Sequence, residues 1–194
     1  MRFDAEYIVE DGKLFSVDKE PVDPSVFKQI DSVSLCEKPA MEVIAAADGF
    51  DISVPSESRI YKVLVPYKNV ALFPEEYDES FLAMLRDMLK ALEEDGCHAI
   101  IVPVVNDVVF KDSDNTSYFT AAMKHCARRI KDCTSVIGFE IPAGFAAYPD
   151  AALLEEYIDE LSKKHQHYVF AGHQELVDFS GKVNFRGINV MFVY

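Results

Sequence analysis

The 194-residue chain contains no tryptophan, only eight glycines and only four cysteines. Cys36, Cys97, Cys126 and Cys133 form no Cys-x-x-Cys pair, which removes the commonest zinc and redox spacings. Cys126 and Cys133 lie seven residues apart on what reads as the apolar face of a helix, so buried free thiols are expected. Positive charge is scarce as well. Nineteen Lys and Arg against 33 Asp and Glu leave a net charge of −14 at pH 7, which repels a phosphate backbone and excludes nucleic acid or a basic lipid-surface anchor as partners. No stretch approaches the roughly 18 uncharged residues of a membrane span, and Met1 to Glu6 shows no apolar run behind a basic cap. No membrane partner is expected, and the expected location is the cytoplasm. The few glycines fall in no GxGxxG, Walker or GxSxG pattern, so nucleotide binding and an α/β-hydrolase triad have no support.

What is present describes a packed globular chain: 49% hydrophobic residues, 12% aromatics and a mean hydropathy of +0.01. At about 150 residues per domain the length suits one domain over 1–194. From Tyr61 onward, short β-branched runs alternate with longer segments of helical period, the mark of consecutive βα units around a parallel sheet. The runs are Lys62 to Tyr67, His98 to Val105, Ser135 to Ile141, His167 to Gly172 and Ile188 to Val193, each apolar enough to be covered on both faces. Between them, Phe81, Leu82, Leu85, Leu89 and Leu92 share one helical face, and so do Phe119, Ala122, Cys126 and Ile130 behind the capping candidates Asn115 and Thr116. Leu153, Leu154, Tyr157, Ile158 and Leu161 follow Asp150 in the same way, and one turn through Gln174 to Val177 fills the last connection. Residues 1–60 form an N-terminal hairpin and cap region. Tyr7 to Val17 is a β-hairpin turning at Asp11-Gly12, a short helix is expected around Phe27 and Ile30, Met41 to Ala47 suits strand or helix equally, and Asp48 to Ser58 is loop.

These residues carry a family likeness. Glu79 to Val105, a helix followed by Glu94-Asp95-Gly96-Cys97-His98-Ala99-Ile100-Ile101-Val102, resembles the helix and third strand of family-5 glycoside hydrolases, the cellulase and mannanase type of TIM barrel. Ala127 to Asp132 followed by Val136-Ile137-Gly138-Phe139-Glu140-Ile141 resembles the helix and fourth strand that in that family end in Asn-Glu-Pro. The resemblance implies a partial or truncated (β/α)8 barrel with an N-terminal β-hairpin. It also implies a chemistry of two carboxyl groups about 5 Å apart, one donating a proton to the leaving oxygen and one attacking the sugar carbon.

The sequence departs from the family where that chemistry sits. In register from Gly138, the Asn and the acid/base Glu fall on Ala143 and Gly144, while Glu140 matches a mid-strand Glu that is not the acid. The nucleophile belongs on the seventh strand, and Tyr194 falls on about the sixth. A full barrel takes about 250 residues. An open barrel leaves apolar edges that invite pairing, so a homo-oligomer is the expected assembly.

The carboxyl ends of parallel strands are the ligand end of such folds. There stand Tyr67, Asn106, Asp107, Phe145, His173 and Glu175. Asn106, Asp107, His173 and Glu175 suit a sugar-binding or acid/base set, with Tyr67 or Phe145 as a stacking platform for an oligosaccharide. The plain alternative is that the short polar side chains only cap loops and helix starts. Glu140 is the candidate catalytic residue if any hydrolysis survives, because a carboxylate inside an apolar strand must be paired or cost several kcal/mol. Arg59, Arg128 or Arg186 as its partner would make it structural. His165, His167 and His173 lack the neighbours of a metal site, and no metal or cofactor is expected. The expected function is a glycoside-hydrolase-like domain, catalytically degenerate, with a carbohydrate-binding or assembly role. The alternatives are an active hydrolase fragment and a non-sugar structural or regulatory α/β module.

Overall fold

Near-continuous β-branched runs become strands that water reaches on neither face, and the amphipathic segments between them become the cover. The computed structural model describes residues 6–48, 60–163, 165–173, 176 and 189–193. In chain order these form β1 (Tyr7–Glu10), β2 (Lys13–Ser16), β3 (Pro21–Val22), β4 (Lys28–Asp31), α1 (Ala40–Asp48), β5 (Ile60–Pro66), α2 (Tyr67–Val70), β6 (Ala71–Phe73), β7 (Glu76–Tyr77), α3 (Glu79–Glu94), β8 (His98–Val104), α4 (Ser113–Arg129), β9 (Val136–Glu140), α5 (Gly144–Ala147), α6 (Ala151–Ser162), β10 (Val169–His173) and β11 (Asn189–Val193). Short 3-10 turns cover Pro24–Val26, Ser32–Cys36 and Asp107–Lys111.

The central sheet has six strands in the order β11-β10-β9-β8-β5-β4, every ladder parallel. Each strand lies beside the one before it in the chain, the order of a sheet that winds in one direction around an axis. The pleat then sorts the side chains into two sets. Tyr61, Val63, Val65, Ala99, Ile101, Phe139 and Phe170 face the helices and join one core with α3, α4 and α6. Ile60, Ile100, Ile137, Val169 and Ala171 face the opposite, concave side and meet Tyr7 and Leu14 of the N-terminal sheet β1-β2-β3.

The helices are held by those apolar faces. α3 buries Phe81, Leu82, Leu85, Met88, Leu89 and Leu92, each worth about 1.5–3 kcal/mol of transfer free energy. Its surface pair Lys90–Glu93 is worth roughly 0.3–0.5 kcal/mol, so the buried face decides. Asp78 starts the helix by accepting from the Ser80 and Phe81 amides, and Asp150 does the same for α6. The hairpin turns as its Asp-Gly pair predicts, with Asp11 and Gly12 both at positive φ, 51° and 75°. Gly138 marks a bulge between β8 and β9, where a Cβ would collide with the Val169 backbone of β10.

Three expectations change, and one falls outside the described residues. The helix around Phe27 and Ile30 is instead β4, the edge strand of the sheet. The spacing of three between these residues looks helical, but Lys28 to Asp31 pairs residue by residue with Tyr61 to Leu64 of β5. The first sixty residues thus supply a sheet strand and its helix α1 as well as the cap. The cap of α4 is Asp112, which accepts from the Asn115 amide, rather than Asn115 or Thr116; Thr116 is buried and its hydroxyl donates back to the Asp112 carbonyl. Of the four cysteines, Cys36 is exposed while Cys97, Cys126 and Cys133 are buried thiols, and burial pushes Cys126 up to about 12. The loop expected over Asp48 to Ser58 and the turn through Gln174 to Val177 lie almost entirely outside the described residues, apart from Asp48 at the end of α1 and the buried Leu176.

The seam between the N-terminal sheet and the central one carries an acid-sensitive contact. Tyr7 sets its ring edge-on to His98 at 5.1 Å, and Glu6 sits 3.3 Å from His98 Nε2. His98 Nδ1 is buried with no hydrogen-bond partner among the described residues. Burial holds His98 and His167 below the ordinary 6.5, although Glu6 works against it. The unfolded chain therefore takes up protons first, so this contribution to stability is whole above pH 6.5 and is lost as pH falls below it toward the folded-state values. Urea midpoints should drop between pH 7.5 and 5.5, and His98→Gln should flatten that slope; an unchanged slope would refute the assignment.

Candidate functional site

Alternation along the strands places three polar side chains on the concave side, beyond the layer that the N-terminal sheet covers. Lys62 stands between Tyr61 and Val63, Glu140 follows Phe139, and His173 lies two residues beyond Ala171. Glu140 Oε1 accepts from His173 Nε2 at 3.0 Å, and Oε2 lies 3.5 Å from Lys62 Nζ. An ionised carboxylate only accepts, so the proton between Glu140 and His173 belongs to His173 Nε2. The side chains of Lys62 and Glu140 are 18% and 11% exposed, whereas that of His173 is 46% exposed. β9 and β10 are neighbours, but Lys62 reaches Glu140 across the intervening strand β8.

Among the described residues the side-chain partners of Glu140 are Lys62 and His173. Arg128 lies on α4 and donates to His125 Nδ1 at 3.1 Å, while Arg59 and Arg186 are outside the described residues. On the helix side, the Tyr157 hydroxyl donates to the Glu140 carbonyl at 3.0 Å, and burial holds Tyr157 well above the usual phenol range.

The other residues singled out by position that are described take part in contacts of their own. Tyr67 is half-buried, its ring edge-on to Phe119 at 5.5 Å, and burial raises its hydroxyl. Phe145 is 1% exposed and packs between Phe110 and Tyr157, so it offers no face for a sugar ring. Asn106 caps the 3-10 turn that begins at Asp107, accepting from the Val108 amide at 3.0 Å, and both residues are exposed at the rim. Glu175 lies outside the described residues. Exposed aromatics among the described residues include Phe73, 69% exposed on β6 with Leu72 beside it, and Tyr118, 42% exposed on α4. Lys62 and Phe73 had a faint signal in the sequence: a lone cation inside an apolar strand, and an apolar pair just before the turn at Pro74-Glu75.

Gly144 is enclosed. A Cβ there would fall within the ring of Phe110, from the turn after β8, closer than any van der Waals contact allows. The position that the resemblance equates with the proton donor is therefore filled by an aromatic ring, and no longer side chain fits while Phe110 keeps its place.

Glu140 and Lys62 are nearly out of water, so losing one partner leaves the other poorly compensated. Glu140→Leu should cost about 1–3 kcal/mol in urea unfolding, and Lys62→Met combined with Glu140→Leu should cost less than the sum of the singles by at least about 0.5 kcal/mol. Strict additivity would show that the pair is not coupled.

No family model and no curated protein matches the sequence; the likeness lies in the structure. The chain is similar to endo-glycoceramidase II from Rhodococcus sp. in its cellobiose-like imidazole complex, at 11% identity and a TM-score of 0.61, over 97% of this chain and 58% of that one. The lactosyl-enzyme intermediate of that enzyme matches at 12% identity and a TM-score of 0.61, over 97% and 60%. The catalytic domain of the major endoglucanase from Xanthomonas campestris pv. campestris matches at 11% identity and a TM-score of 0.58, over 86% and 56%. The chain thus spans less than two thirds of the length of these structures. Six consecutive parallel strands, their helical cover and this likeness together give the chain a family-5 glycoside-hydrolase-like fold, a partial (β/α)8 barrel.

Proposed function

We propose that this chain is a glycoside-hydrolase-like domain that has lost hydrolysis and binds an oligosaccharide on its concave side. The observation that carries the loss is Gly144, closed over by Phe110 where the family's acid belongs. Glycosidic cleavage needs a group to protonate the leaving oxygen. Glu140 does not replace it, because both of its oxygens are engaged by Lys62 and His173. This reading rests on one position and does not depend on where the nucleophile lies.

Three features support binding. The solved neighbours hold cellobiose-like and lactosyl ligands, His173 stands half-exposed over Glu140, Phe73 offers an exposed ring face, and Asn106 and Asp107 are exposed polar groups after β8. Sugar rings stack well on such faces, while polar side chains fix their orientation. A second copy of the chain is the proposed cover for the sheet edges at β4 and β11, which pair with no further described strand. The four free thiols favour a reducing, cytoplasmic setting. No helix among the described residues is long and apolar enough to cross a membrane.

Calorimetric titration with cello- and lacto-oligosaccharides, run beside a hydrolysis assay on aryl glycosides, tests the proposal. Binding without turnover is expected, and Phe73→Ala should weaken it about tenfold, the loss of one stacking contact. Gly144→Glu should remain inactive and cost about 1–3 kcal/mol through overpacking against Phe110. Turnover that vanishes in Glu140→Gln would overturn the loss of hydrolysis. Failure of every glycan to bind would favour a structural or regulatory module instead.

A further inference from the structure

The hairpin β6–β7 carries Phe73 on a short arm. Its ladder has two residue pairs, Ala71 with Tyr77 and Phe73 with Glu76, and a bulge separates them. A two-stranded ribbon of that size is marginal in water by itself, so its direction is set where it is anchored. Ala71 and Tyr77, opposite each other at the base, pack on the main core, and the Asp78 amide donates to the Val70 carbonyl at 3.0 Å to close the arm. Leu72 and Phe73, 50% and 69% exposed, stay in solvent.

The anchor on the β7 side is a ring stack aimed by charged side chains. Tyr77 lies on His125 of α4, with ring centroids 3.9 Å apart and planes 17° from parallel. His125 Nε2 meets Glu79 Oε1 at 2.9 Å, and Arg128 meets Nδ1 at 3.1 Å. A carboxylate only accepts and a guanidinium only donates, which assigns the ring one tautomer, with the proton on Nε2. Turning the imidazole over breaks both bonds. Glu79 is fixed in its turn, because its other oxygen pairs with Arg129. Glu79 follows Tyr77 by two residues, so one short stretch of chain grips the imidazole by its face and by its edge. The His125 side chain is only 11% exposed, and the plane on which Tyr77 rests is therefore set by α3 and α4.

We infer that His125 is a positioning residue for oligosaccharide binding: through Tyr77 it sets the direction of the β6–β7 hairpin, and so the place where the Phe73 ring meets a sugar. This inference rests on the carbohydrate-binding reading above, in which Phe73 supplies a stacking face. A binding group on a marginal arm needs such support from behind, since a small tilt at the base carries the tip away from its ligand.

A double-mutant cycle on the full chain, read by calorimetric titration with cello- and lacto-oligosaccharides, tests it. His125→Ala keeps a good helix former on α4 and should weaken binding about fivefold. In a Phe73→Ala chain the same substitution should change affinity less than about twofold, because the ring that it positions is gone. Tyr77→Ala removes the stack from the other side and should repeat this pattern, which keeps the test open if His125→Ala fails to fold. Tyr77→Phe preserves the stack and should bind as the wild type does. Equal losses with and without Phe73 would show a general loosening of the fold and overturn the inference. No loss in either background would overturn it too, and both results leave the carbohydrate reading standing. Binding that Phe73→Ala does not weaken would overturn the inference together with the part of that reading that rests on Phe73. A wild-type chain that binds neither ligand would overturn both.

Discussion

A strand in a parallel sheet has two faces to cover, and helical crossovers cover only one of them. In a closed barrel the other faces cover each other across the axis. Here six strands wind in barrel order without closing among the described residues, and the concave faces must find other partners. The N-terminal sheet meets that need at one end, laying Tyr7 and Leu14 on Ile60, Ile100, Ile137 and Val169. Beyond the reach of that cap the concave side changes character, and Lys62, Glu140 and His173 stand where a closed barrel would hold its layered core.

Those three residues make sense as a group and not singly. Glu140 at 11% side-chain exposure would cost several kcal/mol alone, and the ammonium and imidazole offset that cost from opposite sides. Among the described residues, one oxygen of the carboxylate meets His173 Nε2 and the other Lys62 Nζ. Gly144 belongs to the same pattern. With no side chain at that position, Phe110 settles over it and joins Phe145 and Phe119.

The parts legible in the sequence are those with a strong local period. The apolar stripe of α3, the runs that became β5, β8, β9, β10 and β11, the Asp-Gly hairpin turn and the Asp150 cap all follow from side chains within a few positions of each other. β4 was hidden because Lys28-Gln29-Ile30-Asp31 has one buried residue in four, and an edge strand needs only one neighbour to hold it. The site was half legible. Glu140 announced itself as a carboxylate among apolar residues. Lys62 gave only a faint signal, since the apolar run legible in the sequence begins at that residue and a cation there reads equally well as the solvated start of a strand.

Alternation and helical period settle which face each residue shows, because these are properties of the backbone repeat that every short segment carries with it. They assign Glu140, Lys62 and His173 to the side away from the helices. That the three meet is another matter, since residues 62, 140 and 173 are brought within bonding distance only by the register of four neighbouring strands and the direction in which their sheet winds. The same holds for Phe110 over Gly144 and for the burial of Phe145. A contact between distant segments depends on how the ladders stack in space, and no local pattern in the chain encodes it.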